Sequence, residues 1–164
     1  YAISDSFSGA AESRVYLDGN IITDNKIDLS ILGLGAHAIK ITAEDLAGNI
    51  SEKEVNFQVI TDINAIIYNV KHYYDLNLIT SRKTKLALEI KLWNIRNKIE
   101  LLNIFESKLM PQWAKVKVIA NLRREINREI DLLIFQIQNE KVFGDTISPR
   151  AKDLLIESLN KIRE

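Results

Sequence analysis

Two hydrophobic repeats divide the chain. Up to about residue 60, apolar and polar positions alternate over short runs. Val15 and Leu17 alternate within 13–17, and Ile39, Ile41 and Ala43 within 37–44. Val55, Phe57 and Val59 alternate with the polar Glu54, Asn56 and Gln58. A repeat of two puts alternate side chains on one face of a strand. Turn residues punctuate the runs: Asp18-Gly19-Asn20, where Gly and Asn tolerate positive φ, and Leu46-Ala47-Gly48-Asn49. Short strands at 13–17, 21–22, 27–29, 37–44 and 54–59, with turn signals every ten or so residues, predict a β-sandwich with a small aliphatic and aromatic core.

After Thr61 the repeat becomes helical. Thr61-Asp62 is a capping signal ahead of the stripe Ile63, Ile66, Ile67 and Val70, and this first helix is expected to end near Leu76-Asn77. Ser81 caps a second helix in which Leu88, Leu92, Ile95, Ile99, Leu102 and Leu109 form a heptad seam. A second stripe, Leu86, Ile90 and Trp93, is expected to widen its buried face, as in a bundle. Pro111 interrupts the pattern and sets a hairpin around 107–112, because a proline inside a helix loses a hydrogen bond and clashes with the preceding turn. A third helix over 112–141 turns Ile119, Leu122, Ile126, Ile130, Leu133 and Ile137 inward. Gly144 begins a loop, and Ser148-Pro149 starts a fourth helix carrying Ala151, Leu154, Leu155, Ser158, Leu159 and Ile162. The expected fold class is two domains: an all-β sandwich over 1–60, then an all-α antiparallel four-helix bundle over 61–164.

Composition sharpens that boundary. The net charge is zero, yet four basic residues stand against nine acidic ones up to Thr61, and eighteen against thirteen after it. Five of the six glycines precede Thr61 and both prolines follow it. The absence of cysteine excludes disulfides, zinc–thiolate sites and thiol nucleophiles together. No apolar run approaches the ~20 residues that span a bilayer. Tyr1 is not a natural initiator, so the expectation is a piece of a longer polypeptide with any export signal upstream. Richness in Ile, Lys and Asn with dense charge suggests an AT-rich, heat-loving source and a thermostable protein.

The run Leu34-Gly-Ala-His-Ala-Ile-Lys-Ile-Thr-Ala-Glu-Asp-Leu-Ala-Gly-Asn49 resembles the last hairpin of bacterial immunoglobulin-like (Big-type) modules, whose pattern is roughly LGxHxLxVxAxDxAGN. Asp5-Ser6-Phe7-Ser8-Gly9 and Leu17-Asp18-Gly19 resemble the D-x-x-S-G opening and "LDG" turn of the same modules. Residues 63–79, with Tyr73-Tyr74-Asp75-Leu76-Asn77, and 147–162 resemble the FIMAH-type helical domain at the C-termini of secreted bacterial enzymes. The middle of the helical region, with Trp93 and Arg123-Arg124, departs from that pattern. The resemblances imply an Ig-like sandwich followed by a helical accessory domain, extracellular or at the cell surface. The partners implied are the upstream domains of the same polypeptide and a polysaccharide or cell-wall polymer.

Candidate chemistry is sparse. His37 and His72 are the two imidazoles, one on each side of the boundary, and neither has a triad partner at motif spacing. No G-x-S-x-G, H-E-x-x-H or P-loop string occurs, so the fragment itself is read as non-catalytic. Asp5, Asp18, Asp24, Asp45 and Asn49 are loop oxygens of the kind calcium takes. The simpler reading is that Asp and Asn occupy turns because their side chains bond nearby amides, so no cofactor is required. Basic residues at 82–85, 115, 117, 123, 124 and 128 offer a polyanion face, but glutamates interleave with them as on an ordinary solvated helix. Nothing suggests nucleic acid. Trp113, beside the hairpin, and the adjacent Tyr73 and Tyr74 are the candidates for stacking on sugar rings. The expected function is a non-catalytic C-terminal accessory module of a secreted or cell-surface bacterial enzyme, polysaccharide-degrading or proteolytic (a hydrolase or lyase), serving spacing, stabilisation or attachment to polymer or cell wall. The alternatives are a segment of a surface adhesin or structural layer, and a carbohydrate-binding module.

Overall fold

The computed structural model describes residues 10–24, 26–107 and 111–163. Its contacts cluster into two compact units, Tyr1–Ile60 and Thr61–Glu164.

In the first unit, β1 (Ala10–Leu17), β2 (Asn20–Ile22), β3 (Gly35–Asp45) and β4 (Ile50–Val59) form one antiparallel sheet in the order β2-β1-β3-β4. Asp18 and Gly19, at φ 50° and 80°, make the two-residue turn between β1 and β2. Positive φ at both central positions matches the twist of the strands it joins. Asp45 builds the turn into β4: its Oδ1 accepts from the Ala47 and Asn49 amides, each at 2.8 Å. The register places Val15, Leu17, Ile22, Ile39, Ile41, Ala43, Val55, Phe57 and Val59 on one face. Glu12, Arg14, Lys40, Glu52 and Glu54 share the other.

That alternation is the one the sequence predicts, but the architecture is not. A sandwich needs a second layer, and among the described residues there is one sheet. The predicted strand at 27–29 is instead the entry to a 3₁₀ turn, Leu29–Ile31, capped by Asp28 through the Ser30 amide. The expected small core does not close among the described residues: not one of 12–24 or 26–60 is fully buried, and Val55 is 52% exposed.

In the second unit, α1 (Ile63–Asp75), α2 (Arg82–Ser107), α3 (Gln112–Gln138), α4 (Glu140–Phe143) and α5 (Pro149–Arg163) follow the signals closely. Asp62 caps α1 by accepting from the Ala65 amide at 2.7 Å. The helix ends with Asn77 at φ 57°, while the Leu78 and Asn77 amides donate to the Tyr73 and Tyr74 carbonyls. Asn serves there because it tolerates the left-handed conformation. Ser81 Oγ accepts from the Thr84 amide and Ser148 Oγ from the Ala151 amide, opening α2 and α5. The third helix stops at Gln138, three residues short of expectation, because Asn139 is extended (φ −90°, ψ 106°).

Helix α1 packs on α2, α2 on α3, α3 on α5, and α5 back on α1. The core between them holds Ile66, Val70, Tyr73, Leu88, Leu92, Ile95, Ile130, Leu133, Ile137, Leu155 and Leu159, all essentially inaccessible. A short antiparallel bridge, Ile79 to Ile147, ties together the segments that lead into α2 and α5. Thr84 and Thr146 bond through their hydroxyls at 2.8 Å beside it.

The expected fold class, an all-β sandwich followed by an all-α bundle, is therefore corrected. The chain is a mixed α/β protein with one small antiparallel sheet. Its helices do not match in length: α2 and α3 have 26 and 27 residues, α1 and α5 only 13 and 15.

Candidate functional site

Helix length creates the most distinctive feature. At ~1.5 Å per residue, α2 and α3 run roughly 20 Å past α1 and α5. Burial follows: the last buried residue of α2 is Ile95, and the first of α3 is Ile126. Beyond them no described residue of either helix is fully buried, and the two form an arm. Ile99, Leu102, Ile119 and Leu122, expected as core, are half-buried along its seam. The seam's predicted last member, Leu109, lies outside the described residues. Ion pairs flank the arm. Lys98 Nζ reaches Glu129 at 2.7 Å and Glu125 at 3.2 Å, and Arg123 reaches Glu106 at 2.8 Å. The Lys98 ammonium is held above its ordinary pKa chiefly by its bond to Glu129, which outweighs the cost of desolvation, with the Glu125 bond adding to it.

Toward the far end of the arm several described apolar side chains are exposed among charged ones. Leu101 and Ile104 near the end of α2 are exposed, as are Trp113 and Val116 at the start of α3. Trp113, in the first turn after Pro111, is 78% exposed. On the near half of α2, Leu86, Ile90 and Trp93 also face outward rather than widening the core. They lie across the helix from Leu88, Leu92 and Ile95, and α2 has room for only one buried stripe between α1 and α3.

The predicted sugar-stacking set does not assemble. Tyr73 is 1% exposed and belongs to the core. Tyr74 is half-buried, with the Lys85 ammonium 5.7 Å from its ring centre. It sits at the base of α2, roughly 30 Å from the arm tip by helix rise. Trp113 therefore stands apart from both tyrosines. Tyr68, exposed on α1, stacks on His72 at 5.9 Å.

The predicted calcium oxygens do not converge either. Asp18 lies at the start of β3, beside Ala38, and Asp45 at its other end, roughly 20 Å away by strand rise. Asp45 and Asn49 are engaged with each other, Asn49 Nδ2 donating to Asp45 Oδ2 at 2.8 Å. Asp24 is exposed on the rim of a groove, and Asp5 lies outside the described residues. Among the described residues, no three histidine or acidic side chains gather as a metal would need.

His37 has a structural post. Nδ1 meets Asp18 Oδ2 at 2.7 Å and Nε2 meets the Gly33 carbonyl at 2.9 Å, while the ring stacks on Phe57. Both ring nitrogens face acceptors, so an imidazolium satisfies both where a neutral ring satisfies one. This His37 bond, and then the Ala38 amide, hold the Asp18 carboxyl below the ordinary aspartate pKa. Period and spacing do not reveal the contact, because the two residues are nineteen positions apart.

The sheet's apolar face carries a groove of about 910 Å³ over Val15, Ile22, Ile27, Ile39 and Ile41. Among the described residues, no helix is long and apolar enough to cross a membrane. No family model matches the chain, and no curated protein or solved structure does.

Proposed function

We propose that this chain is a non-catalytic accessory segment of a secreted or cell-surface bacterial protein, attaching that protein to a polymer through its helical arm. The observation that carries the reading is Trp113, 78% exposed in the first turn of α3, on an arm that also exposes Val116, Leu101 and Ile104. Exposed aromatic rings on a rigid support suit stacking on the faces of sugar rings, and indole offers the largest such face. The support is stiff because α2 and α3 are continuous helices rooted in a buried core.

A sedimentation assay with insoluble polysaccharides and peptidoglycan tests this. Binding to at least one polymer that falls about tenfold in Trp113→Ala, with the far-UV circular dichroism unchanged, supports the reading. No binding to any polymer, or binding that Trp113→Ala leaves intact, overturns it.

A further inference from the structure

Strand β4 is an edge of the sheet, ten residues long and exposed along nearly its whole length. Two hydrogen bonds fix which of its backbone groups are spoken for. The Asp45 amide donates to the Asn49 carbonyl at 3.0 Å, so 45 and 49 form a narrow pair. Narrow and wide pairs alternate in an antiparallel ladder. The register therefore makes Ala43–Ser51, Ile41–Lys53, Ile39–Val55, His37–Phe57 and Gly35–Val59 the narrow pairs. The Asp18 amide bonding the Ala38 carbonyl gives the same phase from the other side of β3, whose even residues face β1. On β4, then, the odd residues bond to β3. Ile50, Glu52, Glu54, Asn56 and Gln58 turn N–H and C=O outward, with no partner among the described residues.

Such an edge templates another strand unless something blunts it. Here there is no proline, and the register with β3 runs without a break from Gly35–Val59 to Glu44–Ile50. The side chains decide what can pair. In a two-fold antiparallel pairing centred on Lys53, Lys53 meets its own copy and Glu52 meets Glu54. Centred on Glu54, Glu54 meets Glu54. Centred on Val55, Glu54 meets Asn56, Glu52 meets Gln58, Val55 meets Val55, and Lys53 lies across from the Phe57 ring. This is the longest overlap within β4 that sets no like charges directly opposite, and like charges opposite are destabilising. The closest like pair, Glu54 and its copy, is diagonal, and Lys40 stands beside each, paired with Glu52 at 2.8 Å. The even residues that face each other are also those with free backbone groups.

We infer that β4 is a self-association edge: a second copy of this chain adds its own β4 antiparallel, centred on Val55, joining two four-stranded sheets into one. The pairing leaves the two apolar faces continuous across the Val55 contact.

The test uses the whole chain. Hydrogen exchange is followed across a concentration series, beside sedimentation equilibrium of Asn56→Lys and Asn56→Glu. Asn56 is exposed and its partner on β3 is Ala38, so both variants keep the fold. The inference expects the Glu52, Glu54, Asn56 and Gln58 amides to gain protection as concentration rises, while the Lys53, Val55 and Phe57 amides are protected throughout. Asn56→Lys faces Glu54 twice per dimer and Asn56→Glu repels it twice, so their dimer dissociation constants should differ by ~10-fold. A monomer at every concentration up to about 1 mM overturns the inference. So does a dimer whose even β4 amides stay unprotected, or one in which the two variants behave alike.

Discussion

The sheet and the helices answer the same question differently. Both have amphipathic elements with clean periodicity. Yet every fully buried hydrophobic residue described in this chain lies beyond residue 62. The four longer helices enclose one apolar stripe each between them, whereas the described strands of 10–60 form a single sheet. Periodicity sets which face is apolar, and a second layer is what removes that face from water. The same contrast recurs inside the helical unit, where α2 is buried at Leu92 and merely half-covered at Leu102.

The comparison can be broken most directly by cavities. Leu92→Ala is expected to lower unfolding stability by about 3 kcal/mol, as for a fully enclosed leucine. Leu102→Ala, ten residues along the same seam, should cost roughly 1 kcal/mol. Guanidinium unfolding followed by circular dichroism reads both, and equal losses would mean that something covers the arm. In the sheet, Ile41→Ala is expected to cost about 1 kcal/mol, because Ile41 is already partly wet. Local exchange rates along β1 and β3 report that loss.

Capping tests the helical side with less at stake. Asp62→Ala removes the bond to the Ala65 amide and should destabilise α1 by ~1 kcal/mol, with Asp62→Asn retaining most of it. The smallest effect belongs to the Asp18–His37 contact at the sheet's turn. Asp18 has its carboxyl pKa lowered in the folded state. Its contribution is therefore present above the unfolded-chain value and lost as pH falls through the folded one. The β1–β2 turn should loosen on acidification below about pH 4, seen as faster exchange of the Ala38 amide. Asp18→Asn should flatten that dependence. An unchanged profile would show that His37 holds the turn through Gly33 alone.

Much of this was legible in the residues. Asp62, Ser81 and Ser148 mark helix starts because their oxygens satisfy first-turn amides, a purely local requirement. Asp18-Gly19 and Gly48 mark turns because few residues accept positive φ. The even spacing of Val55, Phe57 and Val59 correctly predicts a shared sheet face. The candidate sites were less legible. Tyr73 and Tyr74 look equivalent in sequence, and the helix rotation of ~100° per residue buries one and leaves the other at the rim. Leu86, Ile90 and Trp93 carry the same apolar signal as Leu88 and Leu92 but lie on the face without a neighbour. The arm had a readable signature in the unequal helix lengths, which a count of four helices hides.

What the sequence determined by itself is local: the period of each segment, the positions of its ends, and the polarity of each face. Those follow from backbone geometry and from bonds that reach at most a few residues. Tertiary structure alone decided that the described strands form one sheet and that the ends of α2 and α3 beyond Ile95 and before Ile126 hold no buried residue. It also decided which of the two tyrosines turns to the core, and that β4 lies at an edge with its even-numbered amides turned outward. Each of those depends on which element lies beside which. Water leaves an apolar face only where another face arrives, and no stretch of chain encodes that arrival alone.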